Sequence, residues 1–299
     1  MGIRWWGYIF LYMYVYMQNK TRKLRAKREH VIIYTPRYKQ ATGDVVRMKQ
    51  QYDTMVTILK HKNIKITDIN KTTKSTEYNP DIIFMRDSFM KTATHVIMGK
   101  FKRAERVNEP SIVKPSIMNA LGTEVVELQT ARSRLEGGDY LLNNGISFIL
   151  AGQRTNKTAI SEMVTRDLFG TKNTVAIHMK KRDTDMHRIH LDCMMNFIDN
   201  IAVVWEGLLH NSMCIIHDAE GGTKPGVSLD KCLKSLGYSI FIIDDEAQRQ
   251  YACNFVNFDQ FVLAQHPIIQ RASNKETICI PFDEINKLYG GIHCIVHDV

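Results

Sequence analysis

The chain has 299 residues, 44% of them hydrophobic and 24% charged, an ordinary globular composition with enough apolar material for a core. Its formal net charge of +9 is spread over 40 Lys and Arg and 31 Asp and Glu without a continuous basic stripe, so we expect no nucleic-acid partner. The six cysteines include no CxxC pair, and a chain of this length needs no disulfide scaffold, which favours free thiols and a cytoplasmic location.

The first 29 residues differ in composition from the rest of the chain. Trp5 to Met17 is apolar and aromatic, and Lys20 to Arg28 is basic. The apolar part is shorter than the roughly 17–25 residues that a membrane-spanning helix needs. One interpretation is that residues 5–28 form an anchor at a membrane surface, with Lys and Arg against anionic lipid. We favour the alternative, an N-terminal extension (1–29) that is unconnected with the activity.

From residue 30 to residue 299 the sequence predicts one domain in which short strands alternate with helices. We predict strands at Val31–Thr35, Ile64–Thr67, Asp81–Met85, Thr94–Met98, Glu124–Leu128, Tyr140–Leu142, Ser147–Ala151, Thr174–Ile177, Leu191–Phe197, Ala202–Trp205, Ser239–Ile243, Asn254–Asn257, Phe261–Ala264 and Glu276–Ile280. We predict helices at Asp44–Lys62, Ser111–Leu121, Lys157–Phe169, Leu229–Leu236 and Asp283–Leu288.

The predicted elements repeat in the order strand, strand, helix, strand. Polar signatures recur with them at intervals of about 50 residues. A unit of this length, used about five times, is typical of an internal repeat. If the units surround one axis, the strand ends that carry the signatures would point at one centre. We therefore predict an α/β fold with a central polar site.

Several acidic residues stand in otherwise apolar segments of this basic chain, among them Asp87, Glu136 and Asp192. Carboxylates brought together would hold a cation, and a planar guanidinium suits paired carboxylates best. Cys294 follows a glycine pair and a histidine near the end of the sequence. A cysteine there can act as a nucleophile if a base such as His190 is near. These residues indicate thiol chemistry on a guanidino group.

Five short motifs occur in a fixed order. They are Phe84-Met85-Arg86-Asp87, Leu135-Glu136-Gly137-Gly138-Asp139, Gly152-Gln153-Arg154-Thr155, His190-Leu191-Asp192 and Gly290-Gly291-Ile292-His293-Cys294. With these motifs the chain resembles the arginine deiminase, amidinotransferase and dimethylargininase superfamily over residues 30–299. The resemblance implies a five-bladed α/β propeller of ββαβ repeats, with pseudo-fivefold symmetry around a central active site. This architecture agrees with the repeat of about 50 residues.

The resemblance also implies a role for each matching residue. Cys294 would be the nucleophile, His190 the general acid and base, and Glu136 the carboxylate that binds the guanidinium and positions the histidine. The substrate-binding residues that it implies are Asp87 and Asp192 on the guanidinium nitrogens, Arg154 on the substrate carboxylate and Phe84 against the substrate stem.

The implied reaction is the hydrolysis of arginine to citrulline and ammonia through a covalent amidino-cysteine, with no metal and no organic cofactor. An amidinotransferase that passes the same group to an amine is the first alternative. A dimethylargininase-like hydrolase is disfavoured, because dimethylargininases resemble the sequence His-Leu-Lys at the place where this chain has His190-Leu191-Asp192. The last alternative is a non-catalytic binder with the same fold. A small guanidino compound is the expected partner, and a homodimer is left open.

Tyr289 stands where typical arginine deiminases carry a carboxylate-binding arginine. Either Arg103 or Arg106 therefore compensates, or the substrate lacks that carboxylate.

His187, His190 and Cys193 follow one another at three-residue spacing and also fit zinc ligands. No fourth ligand follows at a usual spacing, and we therefore predict no metal site.

Overall fold

The computed structural model describes residues 28–36, 43–73, 80–180 and 184–299. The apolar stretch Trp5–Met17, and with it nearly all of the surface anchor considered for residues 5–28, lies outside the described residues. No helix in the described ranges is long and apolar enough to cross a membrane. Arg28 donates hydrogen bonds to the carbonyl oxygens of Asn257 at 3.0 Å and Leu142 at 3.2 Å, so the basic run ends on a contact with the folded domain.

Short strands and helices alternate along these residues. The strands are β1 His30–Ile33, β2 Lys65–Asp68, β3 Phe89–Lys91, β4 Val96–Met98, β5 Tyr140–Asn143, β6 Ile146–Ala151, β7 Asn173–Met179, β8 Met195–Ile198, β9 Ile201–Trp205, β10 Ser212–Asp218, β11 Thr223–Ser228, β12 Ser239–Ile243, β13 Val256–Asn257, β14 Phe261–Ala264, β15 Glu276–Cys279 and β16 His297–Asp298. The α-helices are α1 Val45–His61, α2 Met85–Ser88, α3 Glu109–Leu121, α4 Lys157–Thr165, α5 Glu206–Asn211, α6 Leu229–Ser235, α7 Asp245–Arg249, α8 Asp283–Asn286 and α9 Ile292–Ile295.

The described strands form five sheets, and four of them share one pattern. In these four an antiparallel pair is joined by a third strand that runs parallel to one member: β5–β6 with β7, β8–β9 with β12, β13–β14 with β15, and β16–β1 with β2. The antiparallel pair β3–β4 has a single parallel bridge instead, between Ile97 and Val126. The predicted α/β class is confirmed. The predicted order of strand, strand, helix, strand is followed without interruption by β5, β6, α4 and β7, and none of these sheets closes on itself.

One hairpin departs from this pattern. β10 and β11 follow β9 in the chain but extend the sheet of β7, whose strand order is β11-β10-β7-β6-β5. The sequence analysis predicted no strand here, and β11 contains Pro225-Gly226, a pair that is unfavourable inside a sheet. β11 is the edge strand of its sheet, which is the place where such a pair is tolerated.

Four predicted strands are wrong in whole or in large part: Asp81–Met85, Leu191–Phe197, Glu124–Leu128 and Asn254–Asn257. The first is replaced by a 3-10 turn and α2, and the second begins as a 3-10 turn at Leu191–Cys193. The third keeps only the bridge at Val126, and the fourth keeps only Val256–Asn257. The predicted helix Lys157–Phe169 ends earlier, at Thr165. The apolar residues of such short segments do not distinguish a strand from a turn whose side chains are buried.

α1 shows how apolar spacing builds the core around the site. Asp44 caps its first turn by accepting a hydrogen bond from the backbone N–H of Arg47 at 3.0 Å. Its buried apolar residues recur at helical spacing and are Met48, Tyr52, Met55 and Leu59. They belong to an apolar cluster that also contains Phe84, Cys193 and Cys294.

Candidate active site

Four of the motifs occupy, or lead into, a single helical turn just before a strand. In chain order these turns are α2, Gly137–Asp139, Leu191–Cys193 and α9. α2 packs against both α9 and the turn at Gly137–Asp139, which in turn packs against Leu191–Cys193. The motifs therefore meet in space as predicted, although they lie at the beginnings of strands rather than at their ends.

His190 lies between two buried carboxylates. Its Nε2 is 2.8 Å from Glu136 Oε2, and its Nδ1 is 3.5 Å from Asp87 Oδ1. His190 and Asp87 are each 2% exposed and Glu136 is 0% exposed. Glu136 Oε1 and Asp87 Oδ1 accept no hydrogen bond from any described residue. Two buried carboxylate oxygens beside the imidazole can thus still accept hydrogen bonds, for example from a bound ligand.

Burial and mutual contact set the charges of this cluster. Burial lowers the pKa of His190, but Asp87, Glu136 and Asp139 outweigh it and raise that pKa to about 10. Burial opposes ionisation of Glu136, yet the His190 hydrogen bond and nearby cations lower the Glu136 pKa to about 2. Burial raises the pKa of Asp87 in spite of His190 and Arg106. At neutral pH His190 is therefore an imidazolium paired with an ionised Glu136.

Asp139 joins two motif loops and has a structural position. Its Oδ2 accepts the backbone N–H of Thr155 at 2.9 Å, and its Oδ1 accepts that of Leu191 at 3.2 Å. Burial raises the pKa of Asp139 to about 7. The carboxylate thus fixes the loop of Arg154 to the turn that follows His190.

Cys294 Sγ is held by an amide and a carboxylate. Asn254 Nδ2 donates to it at 3.2 Å, and Asp192 Oδ2 is 3.6 Å away. Asn254 Oδ1 accepts the backbone N–H groups of His293 at 2.9 Å and of Cys294 at 3.4 Å. Cys294 is only 4% exposed. The Asn254 amide and the Asp192 carboxylate thus fix the position of the sulfur.

A neutral histidine fixes Asp192 in place. His293 Nδ1 lies 2.8 Å from Asp192 Oδ2. Burial and the charge of Arg86 lower the pKa of His293, so its neutral ring donates through Nδ1. Burial opposes ionisation of Asp192, but His293, His190 and Arg86 together lower the Asp192 pKa. His190 and Asp192 belong to one short segment, and Asp192 contacts Cys294. The imidazolium and the thiol therefore lie in adjacent clusters.

Arg106 is committed to Asp87 and so does not replace the arginine expected at Tyr289. Its Nη1 donates to Asp87 Oδ2 at 2.8 Å, and its Nε and Nη2 each donate to Glu109 at 2.8 Å. All three residues are buried. Arg103 pairs with Glu105 nearer the surface. Arg106 therefore orients Asp87, which leaves its other oxygen, Oδ1, without a hydrogen-bond partner among the described residues.

The two remaining predicted residues flank the centre. Arg154 is 8% exposed, its Nε donates no hydrogen bond to any described residue, and its charge favours ionised Glu136. Phe84 is 5% exposed, and its ring contacts Gly290 and belongs to the apolar cluster of Cys294. All the site residues that the sequence predicted are thus brought to one enclosed region.

Glycines stand where the turns approach most closely. A Cβ on Gly138 would lie 2.8 Å from Asp87 Oδ1 and 2.9 Å from the His190 ring. A Cβ on Gly291 would lie 2.5 Å from Asn254 Oδ1. Neither glycine has a positive φ angle. These glycines are required by close approach of side chains rather than by a left-handed backbone.

Three residues of the site were not among the site residues predicted from the sequence. Asn254 holds the Cys294 backbone and sulfur, Cys193 Sγ is 3.5 Å from Asp192 Oδ1, and the buried Tyr251 hydroxyl has no hydrogen-bond partner among the described residues. Asn254 is one of the polar signatures that recur at intervals of about 50 residues, but no role was predicted for it. Cys193 was considered only as a potential zinc ligand, and no signal in the sequence indicated Tyr251.

The described residues give no support to a zinc site at His187, His190 and Cys193. His187 Nδ1 contacts Asp185 at 3.0 Å instead. The described groups whose potential ligand atoms converge are Asp87, Glu136 and His190, and separately Asp192, Cys193 and Cys294. Each of these groups has a place in the thiol and carboxylate clusters described above.

The sequence model of the arginine deiminase family matches residues 10–299. None of the curated proteins compared with the chain matches it. Among solved structures, DDAH from Pseudomonas aeruginosa in complex with citrulline has a TM-score of 0.69 and 17% identity, covering 91% of this chain and 99% of that chain. The product-bound N-terminal domain of ArgZ, a cyanobacterial arginine dihydrolase from the ornithine-ammonia cycle, has a TM-score of 0.70 and 14% identity, covering 90% and 96%. AgrE with ornithine and NAD+ has a TM-score of 0.70 and 15% identity, but only 38% of that chain is covered. At these identities the structures show a shared fold.

Proposed function

The chain belongs to the arginine deiminase family, and on that premise we propose that it hydrolyses arginine to citrulline and ammonia through a covalent amidino-cysteine on Cys294. One observation carries the proposal. Asp87 Oδ1 and Glu136 Oε1 are buried carboxylate oxygens that accept no hydrogen bond from the described residues. They lie on either side of His190, in the cluster adjacent to Cys294.

A bound guanidinium would satisfy these oxygens. Leaving a charged acceptor buried without a donor costs at least about 1–3 kcal/mol, which binding of a cation would recover. A guanidinium presents several N–H groups in one plane and so can donate to more than one carboxylate at once. Asp192, which touches the thiol, is placed to accept from the side of the cation nearest Cys294. The bound cation would also favour the thiolate form of Cys294.

The first half of the reaction uses Cys294 and His190. The thiolate attacks the guanidinium carbon, and the tetrahedral adduct collapses with loss of ammonia. His190 is protonated at neutral pH and supplies the proton to this leaving ammonia. An amidino group that still carries the rest of the arginine then remains on Cys294, and His190 is left neutral.

The second half uses the neutral imidazole as a base. A water molecule gives a proton to His190 and attacks the amidino carbon, and the thiolate leaves with release of the ureido product. Glu136 holds the imidazole through Nε2 at 2.8 Å, and its charge compensates the imidazolium formed again at the end of the cycle.

Arg154 is the residue that we assign to the substrate carboxylate. It is a buried cation whose Nε–H donates to none of the described residues, and an anionic substrate group would satisfy that donor. Arg106 is occupied by Asp87 and Glu109, so it does not compete for this role. Under this assignment Tyr289 does not exclude free arginine as the substrate.

An amidinotransferase is the second candidate. It begins with the same attack by Cys294, but ornithine leaves in place of ammonia, and an acceptor amine replaces water in the second half. The observation that favours it is the 4% exposure of Cys294, because a site closed to bulk water would protect the amidino-cysteine until an amine arrives.

We also propose that residues 30–299 form one catalytic domain with five units around a single axis. Four of the five sheets share one strand pattern, and β16 pairs with β1 so that the last unit joins the first. The contacts between successive motif turns support the same arrangement. A cytoplasmic location is supported by six free cysteines.

Product analysis tests the proposed reaction. The purified full chain is incubated with L-arginine, alone and with glycine or lysine, and small molecules are identified by mass spectrometry. We expect citrulline and ammonia without any added amine. Ornithine together with an amidinated acceptor would instead establish the transferase.

Substitution of the nucleophile gives the matched control. Cys294→Ser should lower turnover by roughly 10³-fold or more, because no other group can form the covalent intermediate. Cys279→Ser, at a half-buried cysteine on β15, should leave turnover unchanged. Wild-type turnover by a folded Cys294→Ser variant would contradict the mechanism.

A further inference from the structure

A second thiol lies beside the nucleophile without a part in the proposed reaction. Cys193 Sγ, Cys294 Sγ and a carboxylate oxygen of Asp192 lie within 4.8 Å of one another. Asp192 Oδ1 is 3.5 Å from Cys193 Sγ, and Asp192 Oδ2 is 3.6 Å from Cys294 Sγ. Asn254 Nδ2 is 3.8 Å from the first sulfur and 3.2 Å from the second. One amide and one carboxylate thus hold both thiols together.

We propose that Cys193 is a resolving thiol, which captures an oxidised Cys294 as an intramolecular disulfide and so switches the enzyme off reversibly. The inference rests on the proposed function in taking Cys294 as the reactive thiol. Among cysteines, the one favoured as a thiolate is the one that peroxide oxidises first. The disulfide itself can be detected without any measurement of activity.

The oxidant is hydrogen peroxide. The Cys294 thiolate attacks one peroxide oxygen, so that an S–O bond forms, the O–O bond breaks and hydroxide leaves, giving a sulfenic acid. Cys193 Sγ then attacks the sulfenic sulfur, so that the S–S bond forms and the S–O bond breaks. The departing hydroxide takes the Cys193 proton and becomes water. In sum, two thiols and one peroxide give one disulfide and two waters.

The geometry requires only a small approach of the two sulfurs. A disulfide has an S–S length of about 2.05 Å, so each sulfur would move by at most about 1.4 Å if both moved equally. The bond would remove Cys294 Sγ from the Asn254 donor and from attack on any substrate. Contact with Cys294 and burial hold the pKa of Cys193 well above its ordinary value, so Cys193 stays a thiol and does not compete as nucleophile.

The chain contains an internal comparison. Cys214 and Cys232 are also neighbours, since their contact raises the pKa of Cys214 and lowers that of Cys232. Both are 0% exposed, whereas Cys294 is 4% exposed, and both lie in another apolar cluster, away from the imidazole and its carboxylates. If proximity alone decided oxidation, this pair would link as readily as Cys193 and Cys294. Under limiting peroxide we expect the link between Cys193 and Cys294 to form first.

Peptide mapping under non-reducing conditions tests the proposal. The full chain, Cys193→Ser and the control Cys279→Ser are treated with hydrogen peroxide, quenched, digested and analysed by mass spectrometry. Wild type and the control should yield a peptide pair linked through Cys193 and Cys294, which dithiothreitol separates. Cys193→Ser should accumulate sulfinic acid on Cys294 and recover about tenfold less activity with dithiothreitol than wild type, because sulfinic acid is not reduced by thiols.

Two results would overturn the proposal. One is sulfinic acid on wild-type Cys294 without the linked peptide pair. The other is equal recovery of activity in wild type and Cys193→Ser. The linked pair in wild type is read by mass alone, so a poorly folded variant or an inactive enzyme does not obscure the outcome. Failure of arginine turnover would concern the proposed function and leave this readout intact.

Discussion

His190 is the residue on which the proposed proton transfers depend, and its charge is measurable. Asp87, Glu136 and Asp139 outweigh burial and raise its pKa to about 10, whereas burial lowers the pKa of His293. Because the folded pKa of His190 is raised, its contribution to stability is complete below the unfolded value of about 6.5 and disappears as pH rises through about 10.

Nitrogen NMR of the histidine rings should therefore show His190 doubly protonated at neutral pH while the His293 ring is neutral. In Glu136→Gln the loss of the anionic partner should lower the His190 pKa, so the ring should lose its proton at a lower pH than in wild type. A wild-type His190 that titrates near its ordinary value of about 6.5 would contradict this assignment of charge.

Asn254 is the positioning residue that the sequence motifs did not include. Asn254→Asp keeps the Oδ1 acceptor for the backbone of Cys294 but removes the donor to the sulfur and adds a negative charge beside it. A hydrogen bond to a charged group contributes about 1.5–3 kcal/mol, so alkylation of Cys294 by iodoacetamide should slow by about 10- to 100-fold.

Asn257→Asp is the matched control for this measurement. Asn257 lies in the same segment, but its side chain contacts Lys275 and the Phe197 carbonyl rather than a cysteine. Its alkylation rate should equal that of wild type. Equal rates in Asn254→Asp and wild type would show that the amide does not activate the thiol.

At the scale of elements, the single turns before the strands position the chemistry. The sequence predicted the motif residues, because their identity and order are specific. It did not predict the turns, because Leu191–Phe197 is apolar enough to resemble a strand throughout. Contacts such as that of Asn254 with Cys294 join separate turns, and no local pattern encodes them.

Ion pairs and hydrogen bonds of Arg86 hold the α9–β16 segment, which carries Cys294, in place. Arg86 donates to the carbonyl oxygens of His293 and Val296 and pairs with Asp298, which also pairs with Arg28 at 3.0 Å. Burial opposes ionisation of Asp298, but the two arginines hold its pKa well below the usual range. The α9–β16 segment is thus tied to α2, which also carries Asp87.

Asp298→Asn should therefore destabilise the fold by about 3 kcal/mol, because it leaves the buried Arg86, and with it Arg28, without the partly buried anion. Asp53→Asn removes an exposed ion pair with Lys49 and should change stability by less than about 0.5 kcal/mol. Urea denaturation of both variants checks this. Equal midpoints for Asp298→Asn and wild type would mean that the pair contributes nothing to holding the segment.

For the whole molecule, the sequence predicted the repeat but not its irregularities. Alternating strands and helices gave the α/β class, and strands such as Ser239–Ile243 match the prediction to the residue. The hairpin β10–β11 joins a sheet formed mainly by an earlier unit, and strand pairing over such distances is not encoded in local periodicity. The enclosure of the site arises in the same way, from segments that are far apart in the chain.

The central claim is that Cys294 becomes covalently amidinated, and rapid acid quenching tests it most directly. The full chain is mixed with arginine, quenched within one turnover and analysed as intact protein and as peptides. We predict an adduct on Cys294 that corresponds to arginine minus ammonia, absent in Cys294→Ser, with Cys193 unmodified. Formation of citrulline without any adduct on Cys294 in wild type, at quench times shorter than a turnover, would contradict the covalent mechanism.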